Sequence, residues 1–161
     1  MTTLRLLSLL RLLAAGHRRD GHHEPATAGG GVVTGGPWTF EVVGPALSAN
    51  GRLHWRATAA RTAQWRERAG WHCRAAQIPR LARGHVLCEW VPGDARRRDP
   101  ANCAPAAKAC VDGMVDAGVF DDDDAGRVVG PDCRLAGPWA VPSGLWRLRF
   151  TVTDVGDGGG T

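Results

Sequence analysis

His85-Val86-Leu87-Cys88-Glu89-Trp90-Val91, then Arg96-Arg97-Arg98-Asp99-Pro100-Ala101-Asn102, then a helical run from about Ala104 to Ala117: this strand–loop–helix succession decides the fold. The first segment is rich in β-branched and aromatic residues and reads as a strand that delivers its loop at one end. Pro105 is tolerated in the first turn of the helix, and Gly118 stands where a helix stops. Working outward, Trp38-Thr39-Phe40-Glu41-Val42-Val43 alternates as an earlier strand. Turn residues from Pro45 to Gly51 lead to Leu53-His54-Trp55. Thr58 to Ala76 has helical composition, with Arg61, Arg66, Arg68 and Arg74 on its surface, and ends before Pro79. Arg127-Val128-Val129 and Leu145 to Val152 supply two more strands, the last with Trp146, Leu148, Phe150 and Val152 on one face. The order β-α-β-α-β-β predicts an α+β fold, a single domain with a mixed β-sheet and two helices.

With 161 residues, one domain is expected over residues 37–155, preceded by a disordered or weakly helical extension (1–36) and followed by a flexible tail (156–161). Met1 to Ala15 is rich in leucine, but Arg5 and Arg11 interrupt its apolar run, so it is too short for a membrane span and lacks a clean signal-peptide core. His22-His23 lies in the Gly/His/Arg-rich linker that follows, and we read it as inert. The five cysteines form no C-x-x-C. That argues against a zinc knuckle or a disulfide framework and for reduced, mostly buried thiols in a cytoplasmic protein.

Net charge is +4, and its distribution is more telling than its total. From Arg52 to Arg98 there are 11 arginines against Glu67, Glu89 and Asp94; from Asp99 to Asp124 there are seven aspartates against Lys108. Arginine supplies 19 of the 20 basic residues, so Lys108 is the one place where a compact, strongly hydrated ammonium stands. In the first turn or so of its helix that charge is opposed by the helix dipole, by roughly 0.3–1 kcal/mol. Carboxylates that hold Mg²⁺, arginines that grip phosphate and a lysine that steadies developing charge suit an enzyme acting on a phosphodiester. Asp121 to Asp124 lacks the spacing and terminal glutamate of a calcium loop. Asp112, four residues after Lys108, either pairs with it along the helix or supplies a carboxylate to the site. Trp55, Trp65, Trp71 and Trp90 read as core or dimer-interface residues.

Several of these motifs, in this order, resemble the RusA-type Holliday junction resolvases. The residues that carry the likeness are Ser48-Ala49-Asn50-Gly51-Arg52-Leu53-His54-Trp55, Arg96 to Asn102, Lys108-Ala109-Cys110-Val111-Asp112-Gly113, Asp116 to Phe120, the aspartate run, and Val128 to Asp132. That family builds its metal site from a D-x-D-N motif, a lysine on the following helix and an aspartate of a later D-D pair. Here Asp99 and Asn102 match, Ala101 stands at the second acid, and Lys108 falls about one turn later. The resemblance implies Asp99, Lys108, Asp123 and Asp124 as catalytic residues. Asp99 would be a ligand for Mg²⁺ (or Mn²⁺), with Asp123 and Asp124 competing for the late position. Asn50, Arg52, His54, Arg96, Arg97, Arg98 and Asn102 would contact DNA. The function implied is a homodimeric endodeoxyribonuclease resolving four-way junctions in recombination and repair. The alternatives are a junction-binding accessory protein that has lost cleavage and, more weakly, an Mg²⁺-dependent nucleotide phosphohydrolase.

Overall fold

The computed structural model describes residues 35–156. The expectations for the N-terminal extension and the tail lie, but for their innermost residues, outside the described residues. Six elements follow the expected order: β1 (Trp38–Pro45), α1 (Trp55–Ala75), β2 (Gly84–Val91), α2 (Ala104–Asp116), β3 (Val128–Leu135) and β4 (Leu145–Asp154), with a 3₁₀ turn at Pro100–Cys103 leading into α2. The four strands make one sheet in the order β1-β4-β2-β3. β4 runs antiparallel to both β1 and β2, while β2 and β3 are parallel. The fold is therefore α+β with a mixed sheet and two helices, as the sequence predicts.

Burial alternates along the strands. Phe40 and Val42, Val86, Cys88 and Trp90, and Leu148, Phe150 and Val152 all face a core completed by Trp65, Ala69 and Cys73 of α1 and Ala106, Ala107, Cys110 and Met114 of α2. The other sheet face carries a charged ladder: Glu41 pairs across to Arg149 at 3.0 Å, and Arg149 approaches Glu89 at 3.8 Å on the far side. One apolar and one polar face is how antiparallel strands meet a single helical layer. These exposed pairs specify register more than they add stability, each being worth no more than about 1 kcal/mol.

Two small residues set the helix spacing. A Cβ on Gly113 of α2 would collide with the Arg66 carbonyl oxygen of α1, and one on Gly70 would lie 2.9 Å from the Gly113 carbonyl oxygen. The buried indole of Trp65 sits over Gly44 and donates from Nε1 to the Pro45 carbonyl at 2.9 Å, which fastens α1 to β1.

Three boundaries differ from the sequence reading. α1 begins at Trp55 rather than Thr58, because His54 caps it: His54 Nδ1 accepts from the Arg56 amide at 3.3 Å. β3 continues past Val129 through Gly130-Pro131 to Leu135. Proline is tolerated there since β3 is an edge strand, and the register shifts opposite it, between His85 and Leu87. The third is the 3₁₀ turn, started by Asp99, whose Oδ1 accepts from the Ala101 amide at 2.9 Å. Of the four tryptophans expected in core or interface, Trp65 and Trp90 are buried, whereas Trp55 and Trp71 are exposed.

Candidate functional site

Lys108 projects from α2 between two carboxylates. Its Nζ donates to Asp112 Oδ1 at 2.5 Å, one turn on along the helix, and to Asp123 Oδ2 in the loop after α2. The second contact depends on the turn that stops α2, where Gly118 adopts φ +80° and the Val119 amide returns to the Met114 carbonyl. Val119 and Phe120 are then buried as anchors, and the aspartate run emerges beside the helix it follows. Asp112, Asp122 and Asp123 line a cavity of about 230 Å³ with Arg66 and Val115. Arg66 is itself held by a two-pronged pair with Asp116.

The electrostatics follow from that geometry. Asp112 and then Asp123 raise the Lys108 ammonium above its ordinary value, and Lys108 in turn holds the Asp123 carboxyl below its own. A depressed carboxyl contributes stability above its ordinary range that disappears as pH falls through the lowered value. The raised lysine contributes below its ordinary range and loses that contribution as pH climbs through the raised value. Lys108 and Asp123 are thus both charged across the neutral range. In Lys108→Met, Asp123 should titrate nearer the ordinary aspartate value of about 3.9, and side-chain carboxyl NMR reads this directly. An Asp123 titration identical in the two proteins would contradict the pairing.

The other expected site residues fall into three places. Asp124 Oδ1 accepts from the Gly126 amide at 2.5 Å, so it shapes the turn before β3 while Asp123 faces the lysine; of the two competing aspartates, Asp123 is the one in the cluster. Asp121 pairs outward with Arg80 at 2.5 Å. Asp99 caps the 3₁₀ turn, and Asn102 within that turn is tied to the β1–α1 loop. Asn50 Nδ2 donates to Asn102 Oδ1 at 2.7 Å, and the Ala49 amide donates to the Asn102 carbonyl at 3.1 Å. The two motifs thus meet across 52 positions of sequence. Arg52 and His54 continue that loop, both exposed.

Arg96, Arg97 and Arg98 are not equivalent. Arg98 is folded back, bonded to Asp94 at 2.7 Å with its guanidinium 5.6 Å from the Trp90 ring centroid. Arg96 and Arg97 are exposed. Arg98 and the Arg96 amide hold the Asp94 carboxyl down at about 2. A second cavity, about 380 Å³, lies at this end beside Trp90, Arg98 and Trp146, and its one carboxylate, Asp94, is already neutralised.

The residue to which the motif resemblance assigns no role is Asp112. Its spacing from Lys108 is the signal: the structure shows the helix-face pair with the lysine, and Asp112 also lines the acidic cavity. Asp112 and Asp123 converge on one positive centre, so they are the residues that could hold a hard divalent cation. Mg²⁺ takes one or two carboxylates and keeps several waters. Asp99 and Asp124 are not drawn into that group; among the described residues no three carboxylates bring their oxygens within 4.8 Å of one another. No helix of the described residues is long and apolar enough to cross a membrane. No protein-family model matches the chain, and a search of curated proteins returns no match.

Proposed function

We propose that this chain is an Mg²⁺-dependent endodeoxyribonuclease acting on four-way DNA junctions, in keeping with its resemblance to the RusA-type resolvases. The observation that carries the reading is the convergence of Asp112 and Asp123 on Lys108 at a cavity that Arg66 also lines. Asp112 and Asp123 would hold the cation, with Asp122 close by; when bound, Mg²⁺ polarises the phosphate and lowers the pKa of an attacking water. Lys108, half exposed on a four-carbon stem, then turns from the carboxylates to the scissile phosphate and stabilises charge building on its oxygens. Asn50 and Asn102 lock the loop that presents Arg52 and His54, while Arg96 and Arg97 stand exposed to meet the phosphate backbone. Two equivalent strands must be cut in a four-way junction, so the active form in this reading is a homodimer with matching sites.

One observation favours the non-catalytic alternative. The carboxylate pair already shares an internal ammonium that competes with a cation for it, and Ala101 withholds a further acid, so a junction-binding accessory protein is the second reading.

Both readings require binding to branched DNA. In Ca²⁺, affinity for a synthetic four-way junction should exceed that for linear duplex of the same sequence and fall steeply with salt, as counterion release demands. Replacing Arg96 and Arg97 with alanine should reduce the slope of log affinity against log salt by about 2, roughly one unit for each phosphate no longer neutralised. Equal affinity for duplex and junction, or a salt-independent affinity, would remove branched DNA as the ligand.

A further inference from the structure

Cys88, Cys103 and Cys133 share no short motif, yet the fold brings their three Sγ atoms within 4.8 Å of one another. Cys88 and Cys133 are direct partners in the parallel β2–β3 register. Cys103, the last residue of the 3₁₀ turn, closes the triangle from the helical layer. Cys88 and Cys103 are fully buried, and Cys133 on the edge strand is partly open to solvent. The remaining cysteines, Cys73 and Cys110, are buried in the core and stand outside this group.

We propose that the three thiols bind one Zn²⁺ ion, with water at the fourth position on the open side of Cys133. Sulfur ligands select a thiophilic metal over Mg²⁺. At a Zn–S distance of about 2.3 Å, tetrahedral geometry sets the sulfurs about 3.8 Å apart, inside the separation the fold already allows. The site joins β2, β3 and the 3₁₀ turn, and so fixes the segment bearing Asp99 and Asn102 to the sheet edge. It stands apart from the acidic cavity and does not depend on the nuclease reading.

The probe is Cd²⁺ titrated into the reduced full-length chain, followed by thiolate-to-cadmium charge-transfer absorption. Histidines such as His17, His22 and His23 contribute nothing to that band. One Cd²⁺ per chain is expected, and it should displace Zn²⁺ loaded beforehand, since sulfur ligands favour the softer ion. In Cys133→Ser the affinity should drop by more than about a hundredfold, beyond what losing an outer-sphere partner costs. A measurement on the wild type alone covers the case in which that variant fails to fold: Zn²⁺ should protect Cys133 from alkylation, read by mass spectrometry. Absence of a thiolate band, a band unchanged in a folded Cys133→Ser, or equal alkylation with and without Zn²⁺ would overturn the proposal.

Discussion

Lys108→Ala should lower junction cleavage by about a hundredfold to a thousandfold, the usual cost of removing one transition-state donor, while junction affinity stays near the wild-type value. The asymmetry follows from where the ammonium acts. In the resting protein it is shared between Asp112 and Asp123, so its contribution to ground-state DNA binding is small. Its benefit appears only as charge develops on the phosphate, which lowers kcat in the variant without raising KM. Lys108→Arg should rescue poorly, because a planar fork does not fit between two carboxylates on one helix turn and the adjoining loop. Single-turnover cleavage alongside binding measures both quantities. An equal loss of rate and affinity would make Lys108 a DNA-binding residue; no loss of either would make it a helix-surface ion pair and nothing more.

Gly113→Ala should destabilise the chain by about 3 kcal/mol, the upper end for inserting a methyl where there is no space. Tm should fall by roughly 10 °C. The added carbon would run into the Arg66 carbonyl oxygen and crowd the Gly70 amide nitrogen, both backbone atoms that cannot rotate away. Relief requires α2 to move off α1, and that movement would carry Lys108 and Asp112 with it. Gly137→Ala is the natural control, since nothing lies within 4 Å of its added carbon and it should be nearly neutral. Thermal unfolding of the two variants checks the contrast; a Gly113→Ala protein as stable as wild type would mean the helices do not touch there.

That contact shows where sequence reading stops. Gly113 sits between Asp112 and Met114 with nothing local to mark it, and its role exists only once Arg66 lies opposite. The strands and helices are legible because each carries its own periodicity: alternation in Trp38–Val43 and Leu145–Val152, helical composition through Ala104–Ala117. The His54 cap escapes because the family resemblance implies a DNA contact there, and histidine is an uncommon capping residue. β3 reads short, ending at Val129, because Pro131 argues against a strand, an argument that fails at a sheet edge. At the site, Lys108 and Asp112 are legible from their i,i+4 spacing. The choice of Asp123 over Asp124 is not, since it depends on how the loop after Gly118 folds back. The three-cysteine cluster is invisible for the same reason: β2, the 3₁₀ turn and β3 each contribute one thiol, and no spacing along the chain records that they meet.

The activity proposed for the acidic cluster around Lys108 is metal-dependent cutting of branched DNA. Its most direct test is incubation of the purified chain with an end-labelled four-way junction in Mg²⁺, in excess chelator, and beside linear duplex of the same sequence. Paired nicks in the junction are expected with Mg²⁺, none with chelator, and an intact duplex. Binding without cutting under any metal would contradict it and leave the accessory-protein reading, and cutting undiminished by chelator would contradict the metal mechanism itself.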